Sequence, residues 1–416
     1  MKAALLILLL LPVGARGFPG QVYGRGQLSS WVQWERASWS ENRFGARYIP
    51  ELSWSGMRLR GIELDAEVAF KGRVNGVFNS PGGGWDEYRL WGRVSGDQYE
   101  VRIGLQKINF GSATLLRPLM WFDRIDPRDP LGLTGGVWGI LGRRYFLNNA
   151  NFWLWMVRGD DNPGGGNLLP SEKGEWEIGG RGQVPLGPGE VGVTVHARKV
   201  DSAVFFPGAI FGESLKGGSL QETALNEMEE LYSQYDFFGD EGVTERRFAE
   251  LERAEDPFRE WRLGLDGRWD WTIGMWIEGM VVHQDAPEPF YKYLQMMTVG
   301  VDYTLPVGSG LQVLGEHLVS EIGEELFTSE EVRHISAFSA SYSPGMLDRL
   351  LGVGYYDWEE TTTARYVSWG RIYDNWSFHL NGFWNSGDAA FAAGSASGAG
   401  KGIQWMVVFN HGRDLW

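Results

Sequence analysis

The segment Tyr99–Gln106 reads YEVRIGLQ, and its apolar residues Val101, Ile103 and Leu105 alternate with polar residues and glycine. A period of two is that of a β-strand with one apolar and one polar face. Residues 137–146 read VWGILGRRYF and predict a second strand, which returns from a long connection. That connection, residues 111–136, is too long for a hairpin turn and is dense in charge. Loops of this length in compact proteins are usually functional.

The first residues of the chain predict export. Lys2 is followed by an apolar run over residues 5–11, and Ala15 and Gly17 place small residues at the two positions that a signal peptidase reads. The run is too short to span a bilayer as a helix. We therefore assign residues 1–17 to a cleaved signal peptide and residues 18–416 to the mature domain.

The composition narrows the class of protein. The chain has no cysteine, which excludes disulfides, thiolate metal sites and covalently attached haem. Its formal charge of −15 argues against nucleic acid as a partner, because phosphate binding needs a basic surface. Glycine (59) and tryptophan (21) are both frequent, and no apolar run beyond the signal is as long as a membrane helix. This combination is typical of a transmembrane β-barrel.

Alternating segments recur along the rest of the chain, most clearly at residues 191–198, 261–266, 273–278 and 297–304. Many reach about ten residues, the length that a tilted strand needs to cross a bilayer. Long and short connections alternate, as in outer-membrane barrels, where extracellular loops are long and periplasmic turns are short. Tryptophans and tyrosines near the strand ends predict two aromatic girdles. The predicted fold class is all-β: a transmembrane antiparallel up-and-down β-barrel of 18 strands, or of 16 if residues 58–78 absorb a neighbouring strand.

Residues 201–257 interrupt this pattern. Ser219 begins a capping box, and residues 225–235 carry apolar side chains at helical spacing, so this insert is predicted to be partly helical. Residues 213–256 contain 13 acidic and 4 basic residues, which give −9 of the total charge of −15. The alternation of connections places the insert outside the cell. Two interpretations stay open: a lid over the outer mouth, or a solvated loop.

With these elements in place, the chain resembles the Gram-negative outer-membrane porins. Residues 102–106, Phe110-Gly111, Pro118 and the DPRDP motif at 126–130 resemble the alginate-export-type and related large single-chain porins. The resemblance implies contact with outer-membrane lipid and passive passage of small hydrophilic or charged solutes and ions. It leaves a monomer and a homotrimer open. In general porins the third extracellular loop folds into the barrel and narrows the pore, which implies that residues 111–136 form a constriction.

Charged side chains of this loop are the candidate constriction residues. The arginines there would attract anions, and the aspartates would hold the arginines in place through salt bridges. The alternative is that these charges pair with one another and only fold the loop. The sequence does not decide between anion and cation preference. The constriction set is Arg117, Asp123, Arg124, Asp126, Arg128 and Asp129, and the predicted pore-lining set is Arg102, Gln106, Arg181, His196, Arg198, Arg262, Asp266, Glu278 and Asp302.

Catalysis and cofactor binding have little support in the sequence. It contains no HExxH or GxSxG motif, the pair His283 and Asp285 is best explained as solvated, and residues 160–162 favour a turn over a calcium site. We therefore predict no catalytic residue, no metal and no cofactor. One alternative function stays open, a structural barrel sheath around a periplasmic or extracellular multihaem cytochrome. The chain could not carry electrons itself, because it lacks the cysteines that attach such haems.

Overall fold

The computed structural model describes residues 20–35, 43–59, 61–77, 80–123, 129–160, 169–201, 257–286, 292–328, 331–385 and 401–414. This part of the chain contains 18 strands and no helix. The predicted signal peptide and the predicted helices of the insert lie outside the described residues. The strands are β1 (Gln21–Glu35), β2 (Arg43–Leu59), β3 (Ile62–Val77), β4 (Ser80–Gly96), β5 (Tyr99–Gln106), β6 (Val137–Tyr145), β7 (Asn151–Arg158), β8 (Trp176–Leu186), β9 (Gly189–Val200), β10 (Phe258–Asp270), β11 (Gly274–Gln284), β12 (Tyr293–Leu305), β13 (Leu311–Gly323), β14 (Glu331–Tyr342), β15 (Asp348–Asp357), β16 (Thr363–Ile372), β17 (Trp376–Asn385) and β18 (Lys401–Asp414).

The strands close into a barrel. Each strand pairs antiparallel with the next along the chain, and β18 pairs with β1 so that Ser29 lies opposite Val408. The predicted up-and-down barrel is therefore confirmed, with 18 strands and not 16. The uncertain stretch at 58–78 resolves into the end of β2 and a separate β3. Residues 80–84, whose proline and three glycines are typical of a loop, belong instead to β4, because they continue the ladder with β3 as far as Ser80 opposite Val77.

Long and short connections alternate around most of the barrel, as the sequence indicates; the exception is the link from β3 to β4, which consists of residues 78–79 alone. Short links join β2 to β3, β4 to β5 and β8 to β9, whereas the links from β5 to β6, β7 to β8 and β9 to β10 are long. All long links from odd-numbered to even-numbered strands leave at the same end of the barrel, because the strands are antiparallel. We refer to this end as the long-loop end and to the other as the short-turn end.

The two faces of the barrel wall differ sharply in polarity. On β10, Leu263 and Leu265 face outward and are 44% and 53% exposed, whereas Glu260 and Arg262 face inward and are buried. This is the reverse of a water-soluble fold, and an apolar outer band is what lipid requires. No helix in the described ranges is long and apolar enough to span a membrane.

The barrel interior is partly filled by the chain itself. Residues 107–136, which connect β5 to β6 and of which 107–123 and 129–136 are described, turn into the lumen; we call this segment the inner loop. Its Ile108, Phe110, Leu119 and Trp121 form one buried cluster with wall residues such as Leu141 on β6. The main apolar core of the protein therefore lies inside the barrel, between the inner loop and the wall of β6–β13.

Candidate functional site: the inner loop

Carboxylates on the barrel wall hold the first half of the inner loop by its backbone. Glu278 on β11 accepts hydrogen bonds from the N–H groups of Ala113 (2.9 Å) and Leu119 (2.7 Å). Asp266 on β10 accepts a hydrogen bond from the Ser112 hydroxyl at 3.1 Å. Hydrogen bonds to an ionised acceptor are about twice as strong as neutral ones, so a loop without regular secondary structure is fixed at several points.

A third carboxylate, Glu316 on β13, holds the tip of the loop. Its two oxygens accept hydrogen bonds from the consecutive N–H groups of Thr114 (2.6 Å), Leu115 (2.8 Å) and Leu116 (2.6 Å). Successive backbone N–H groups that converge on one anion form a nest, in which each dipole points at the negative charge. The loop tip thus wraps around a wall side chain.

The tip also extends across the lumen. Leu115 packs against the cluster that contains Leu318 on β13 and against the cluster of Val353, Tyr366 and Phe383 on β15, β16 and β17. In a closed ring of 18 strands, β15 lies roughly opposite β6, where the loop ends. The inner loop therefore spans the barrel interior from one wall to the other.

The second half of the loop is tied to the wall near its own start. Arg47 on β2 forms an ion pair with Asp129, with Nη1 2.8 Å from Oδ2. Arg89 on β4 donates from Nη2 to the carbonyl oxygen and the hydroxyl of Thr134, both at 3.2 Å. The described contacts of the loop thus involve strands on both sides of the barrel.

Two glycines allow the loop and the wall to approach closely. Gly111 has φ +98°, and a Cβ there would lie 2.4 Å from Oε2 of Glu278. On the wall, a Cβ at Gly264 would lie 2.4 Å from Cδ2 of Leu119. Because real Cβ atoms essentially never approach other atoms so closely, a side chain at either position requires the facing side chain, Glu278 or Leu119, or the loop itself to move.

The described constriction candidates contact the loop and the wall. Arg117 donates to Oδ1 of Asn109 (2.6 Å) and to the carbonyl oxygen of Phe110 (3.1 Å), both within the loop. Asp123 is 2% exposed, and its Oδ2 lies 3.6 Å from Nζ of Lys107. The third described candidate, Asp129, forms the ion pair with Arg47 on β2. Arg124, Asp126 and Arg128 lie outside the described residues.

All nine predicted pore-lining residues face inward, but seven of them are buried by the inner loop and its neighbours. Arg102 and Asp302 keep side-chain exposures of 17% and 21%. Asp302 is paired with Arg268 at 2.9 Å. The buried seven are Gln106, Arg181, His196, Arg198, Arg262, Asp266 and Glu278.

The buried residues satisfy one another through ion pairs and hydrogen bonds. Arg181 forms a bidentate pair with Asp266 at 2.5 and 3.0 Å. On the adjoining strands, Glu260 is shared by Arg198 and Arg262, each at 2.5 Å. Paired charges of this kind are costly to break from one side, so they stiffen the wall that supports the loop.

His196 belongs to the same buried wall. It lies 2.9 Å from Glu177 and accepts a hydrogen bond on Nδ1 from the Trp155 indole at 3.2 Å. Its ring also stacks on Trp121 of the inner loop, with centroids 5.9 Å apart. His196, which was predicted to line the pore, thus belongs to the part of the wall that contacts the inner loop.

Away from the apolar contacts of the inner loop, the barrel wall carries a group of charged residues that the sequence analysis did not find as a group. Arg93, Arg102 and Arg143 surround the single carboxylate of Glu100, at distances of 3.5, 3.9 and 3.1 Å. We call these three residues the arginine cluster. Register places Arg93 directly opposite Arg102, on the same face. Of the arginine cluster and Glu100, the sequence analysis identified only Arg102 as a pore-lining residue. The period of two on β5 would also have identified Glu100, which lies two residues before Arg102 on the same face.

Aromatic rings hold part of this group in place. The guanidinium of Arg102 lies 4.5 Å from the Trp91 ring, and that of Arg143 lies 3.8 Å from the Trp153 ring. Cation–π contacts orient a guanidinium without neutralising it. The arginine cluster therefore presents oriented guanidinium groups to the lumen, beside the carboxylates of Glu100 and Asp65.

No family model and no curated protein matches the sequence. Several solved structures match its fold. Pseudomonas aeruginosa OccK5 (OpdH) has a TM-score of 0.55 at 8% identity, over 96% of this chain and 99% of that one. Acinetobacter baumannii OccAB1 gives 0.54 at 8%, over 95% and 97%. P. aeruginosa OccK2 (OpdF), in complex with glucuronate, gives 0.54 at 7%, over 95% and 97%. These neighbours are outer-membrane porins, and the likeness establishes a shared barrel fold.

Proposed function

We propose that this chain is an outer-membrane channel through which small hydrophilic solutes diffuse passively. The apolar outer band suits a bilayer, and a closed ring of 18 strands is wide enough to enclose an aqueous channel. The observation that carries the proposal is the inner loop, which crosses the lumen and is anchored to the wall by Glu278 and Glu316. A loop held in this way reduces the cross-section of a pore and fixes the shape of the opening that remains.

We further propose that the channel favours anions. The arginine cluster sets three oriented guanidinium groups in the lumen against the two paired carboxylates of Glu100 and Asp65, the latter 2.7 Å from Arg93. In a confined aqueous space the effective dielectric constant is below that of bulk water, so fixed charges act strongly on a passing ion. The glucuronate bound by OccK2 is a carboxylate, and it supports small organic acids as the solute class.

The alternative of a cytochrome sheath gains no support. A sheath needs an empty lumen for its partner protein, whereas here the inner loop crosses from β5 to the cluster on β15–β17. The fold neighbours are porins. The alginate-export branch and the choice between monomer and homotrimer remain predictions from the sequence.

Planar-bilayer recordings test the channel and its preference together. Wild-type protein should form stable pores whose reversal potential in a salt gradient indicates anion preference. The double substitution Arg93→Gln and Arg143→Gln should shift this potential toward cations, and Glu100→Gln should shift it further toward anions. The effect should shrink between about 0.1 and 1 M salt, because the screening length falls from about 10 to 3 Å.

Arg144→Gln is the matched control, since Arg144 is adjacent to Arg143 but exposed on the outward face. It removes the same charge and should leave the reversal potential unchanged. Folded, inserted protein without any pore would refute the channel. Pores whose selectivity responds to none of the lumen substitutions would refute the anion preference only.

A further inference from the structure

Three cations stand on the outward face at the long-loop end of neighbouring strands. They are Arg158 on β7, Lys199 on β9 and Arg259 on β10, and all three are exposed. The residues beside them in sequence, Val157 and Arg198, are buried on the inward face. The cations therefore project away from the lumen, into the surroundings of the barrel. We call these three residues the basic row.

Strand register places the basic row at one height. Arg158 pairs with Trp176 on β8, and Lys199 pairs with Arg259. The ladder between β8 and β9 begins with Ile178 opposite Ala197, each two residues inside Trp176 and Lys199. Strands lie about 4.8 Å apart, so the row from β7 to β10 extends over about 15 Å.

Aromatic side chains show where the row lies relative to the bilayer. Trp176, in the row itself, is 57% exposed, and Trp261, one outward step below Arg259, is 53% exposed. Below them the outward face is apolar, with Ile178 and Leu263 exposed. Because exposed tryptophans mark the level of the lipid headgroups, the basic row lies at that level.

The basic row has a surplus of charge. Lys199 lies 3.4 Å from Glu175, a pair in which both side chains are nearly half exposed. Arg158 and Arg259 have no carboxylate partner within the described ranges; the nearby Asp285 is paired with His283 at 3.8 Å. Exposed pairs contribute little, so the row can exchange Glu175 for a stronger anion.

The same strands carry no such cations on the outward face of their other end. There the outward residues of β7, β8 and β10 include Phe152, Leu186 and Trp269. On these four strands the outward cations are therefore confined to the long-loop end. In an outer-membrane barrel the long loops face the outside, so this is the external leaflet.

We infer that the basic row binds the phosphate groups of the phosphorylated glycolipid of the external leaflet. Guanidinium groups bind phosphate through paired hydrogen bonds, and basic side chains at the headgroup level bind anionic lipid. The flanking apolar side chains accommodate the acyl chains of the same molecule. The inference rests on the outer-membrane location proposed above and is independent of any transport by the pore.

Native mass spectrometry of the detergent-solubilised full-length protein tests the inference, with bisphosphorylated lipid A as the probe. The wild type should retain lipid A, and the triple substitution Arg158→Gln, Lys199→Gln and Arg259→Gln should bind at least tenfold more weakly. Dephosphorylated lipid A should bind the wild type as weakly as lipid A binds the triple variant. Heat-dependent gel mobility shows separately that each variant is a folded barrel.

The matched control removes two outward cations from the short-turn end, with Arg144→Gln and Arg371→Gln. It should bind lipid A like the wild type. Equal binding by the wild type and the triple variant would overturn the inference, as would an equal loss in the control. Equal binding of the two lipids would show that acyl chains, and not phosphates, are recognised. A folded protein that binds lipid A but forms no pore would refute only the channel.

Discussion

The backbone N–H of Leu116, at the tip of the inner loop, lies 2.6 Å from the carboxylate of Glu316 on the wall of β13. The same carboxylate accepts hydrogen bonds from the two preceding N–H groups and from the Trp276 indole at 3.0 Å. One wall side chain thus determines where the tip of the loop lies. The strength of this attachment is open to direct measurement.

Glu316→Ala should release the tip. Hydrogen bonds to a charged group contribute about 1.5–3 kcal/mol each, and the substitution removes those of three backbone N–H groups. Single-channel recordings should show a larger mean conductance and more current fluctuation than the wild type. Glu321→Gln, on the same strand but on the outward face, should behave like the wild type. A quiet, unchanged pore in Glu316→Ala would show that the other contacts suffice.

Gly264→Ala should displace the loop by overlap with Leu119. Overpacking of this kind costs about 1–3 kcal/mol, and the cost should fall in a Leu119→Ala background, where the overlapping methyl groups are absent. A double-mutant cycle by denaturant unfolding in micelles measures this coupling. Gly352→Ala is the control, because a Cβ there has no atom within 4 Å. If the effects of the two substitutions on the free energy of unfolding were additive, Leu119 would not lie against position 264.

Excision of residues 115–133, with a short glycine linker, should raise conductance more than any point substitution. The narrowest section dominates the resistance of a pore, and this segment contains the part of the loop that reaches β15–β17. The barrel should still assemble, since β5 and β6 pair directly from Gln106 opposite Val137. Unchanged conductance in planar bilayers would place the limiting section elsewhere in the lumen.

Deletion of residues 213–256 should leave the barrel intact. Val200 on β9 already lies opposite Phe258 on β10, so the wall is continuous without the insert. Shortening a loop changes its closure entropy only slightly. Heat-dependent gel mobility and β-rich circular dichroism should match the wild type, and a rise in conductance would favour the lid over the solvated loop. Loss of insertion would assign the segment to the wall.

Strand positions were predictable from sequence because the wall has two chemically different faces. Tyr99–Gln106 is a strand, as its alternation predicts, although the connection begins at residue 107 and not at 111; the return strand ends one residue earlier than predicted. The alternation of connection lengths also predicted which ends carry long loops. In each case the signal is local, since it needs only the period of the strand and the length of the link.

Glu316 was missed because that local signal fails beneath the inner loop. Its inward neighbours Leu314 and Leu318 are buried against the loop, and the outward residues of β13 include Val313 and Val319. Both faces of β13 therefore carry apolar residues, so the alternation does not show which face points into the lumen. The arginines of the wall were assigned to the correct face, but their burial depends on loop residues distant in sequence, such as Phe110 over Arg181.

The pairing of β1 with β18 has a consequence for biogenesis. Until residues 401–414 arrive, the partial sheet has two edges whose unpaired N–H and C=O groups no lipid can satisfy. Closure of the seam joins segments nearly 400 residues apart, the most distant pairing in the chain, so the wall is completed only after synthesis of its final strand. A chain truncated ahead of that strand should persist as chaperone-bound, protease-sensitive polypeptide, with no smaller pore in its place.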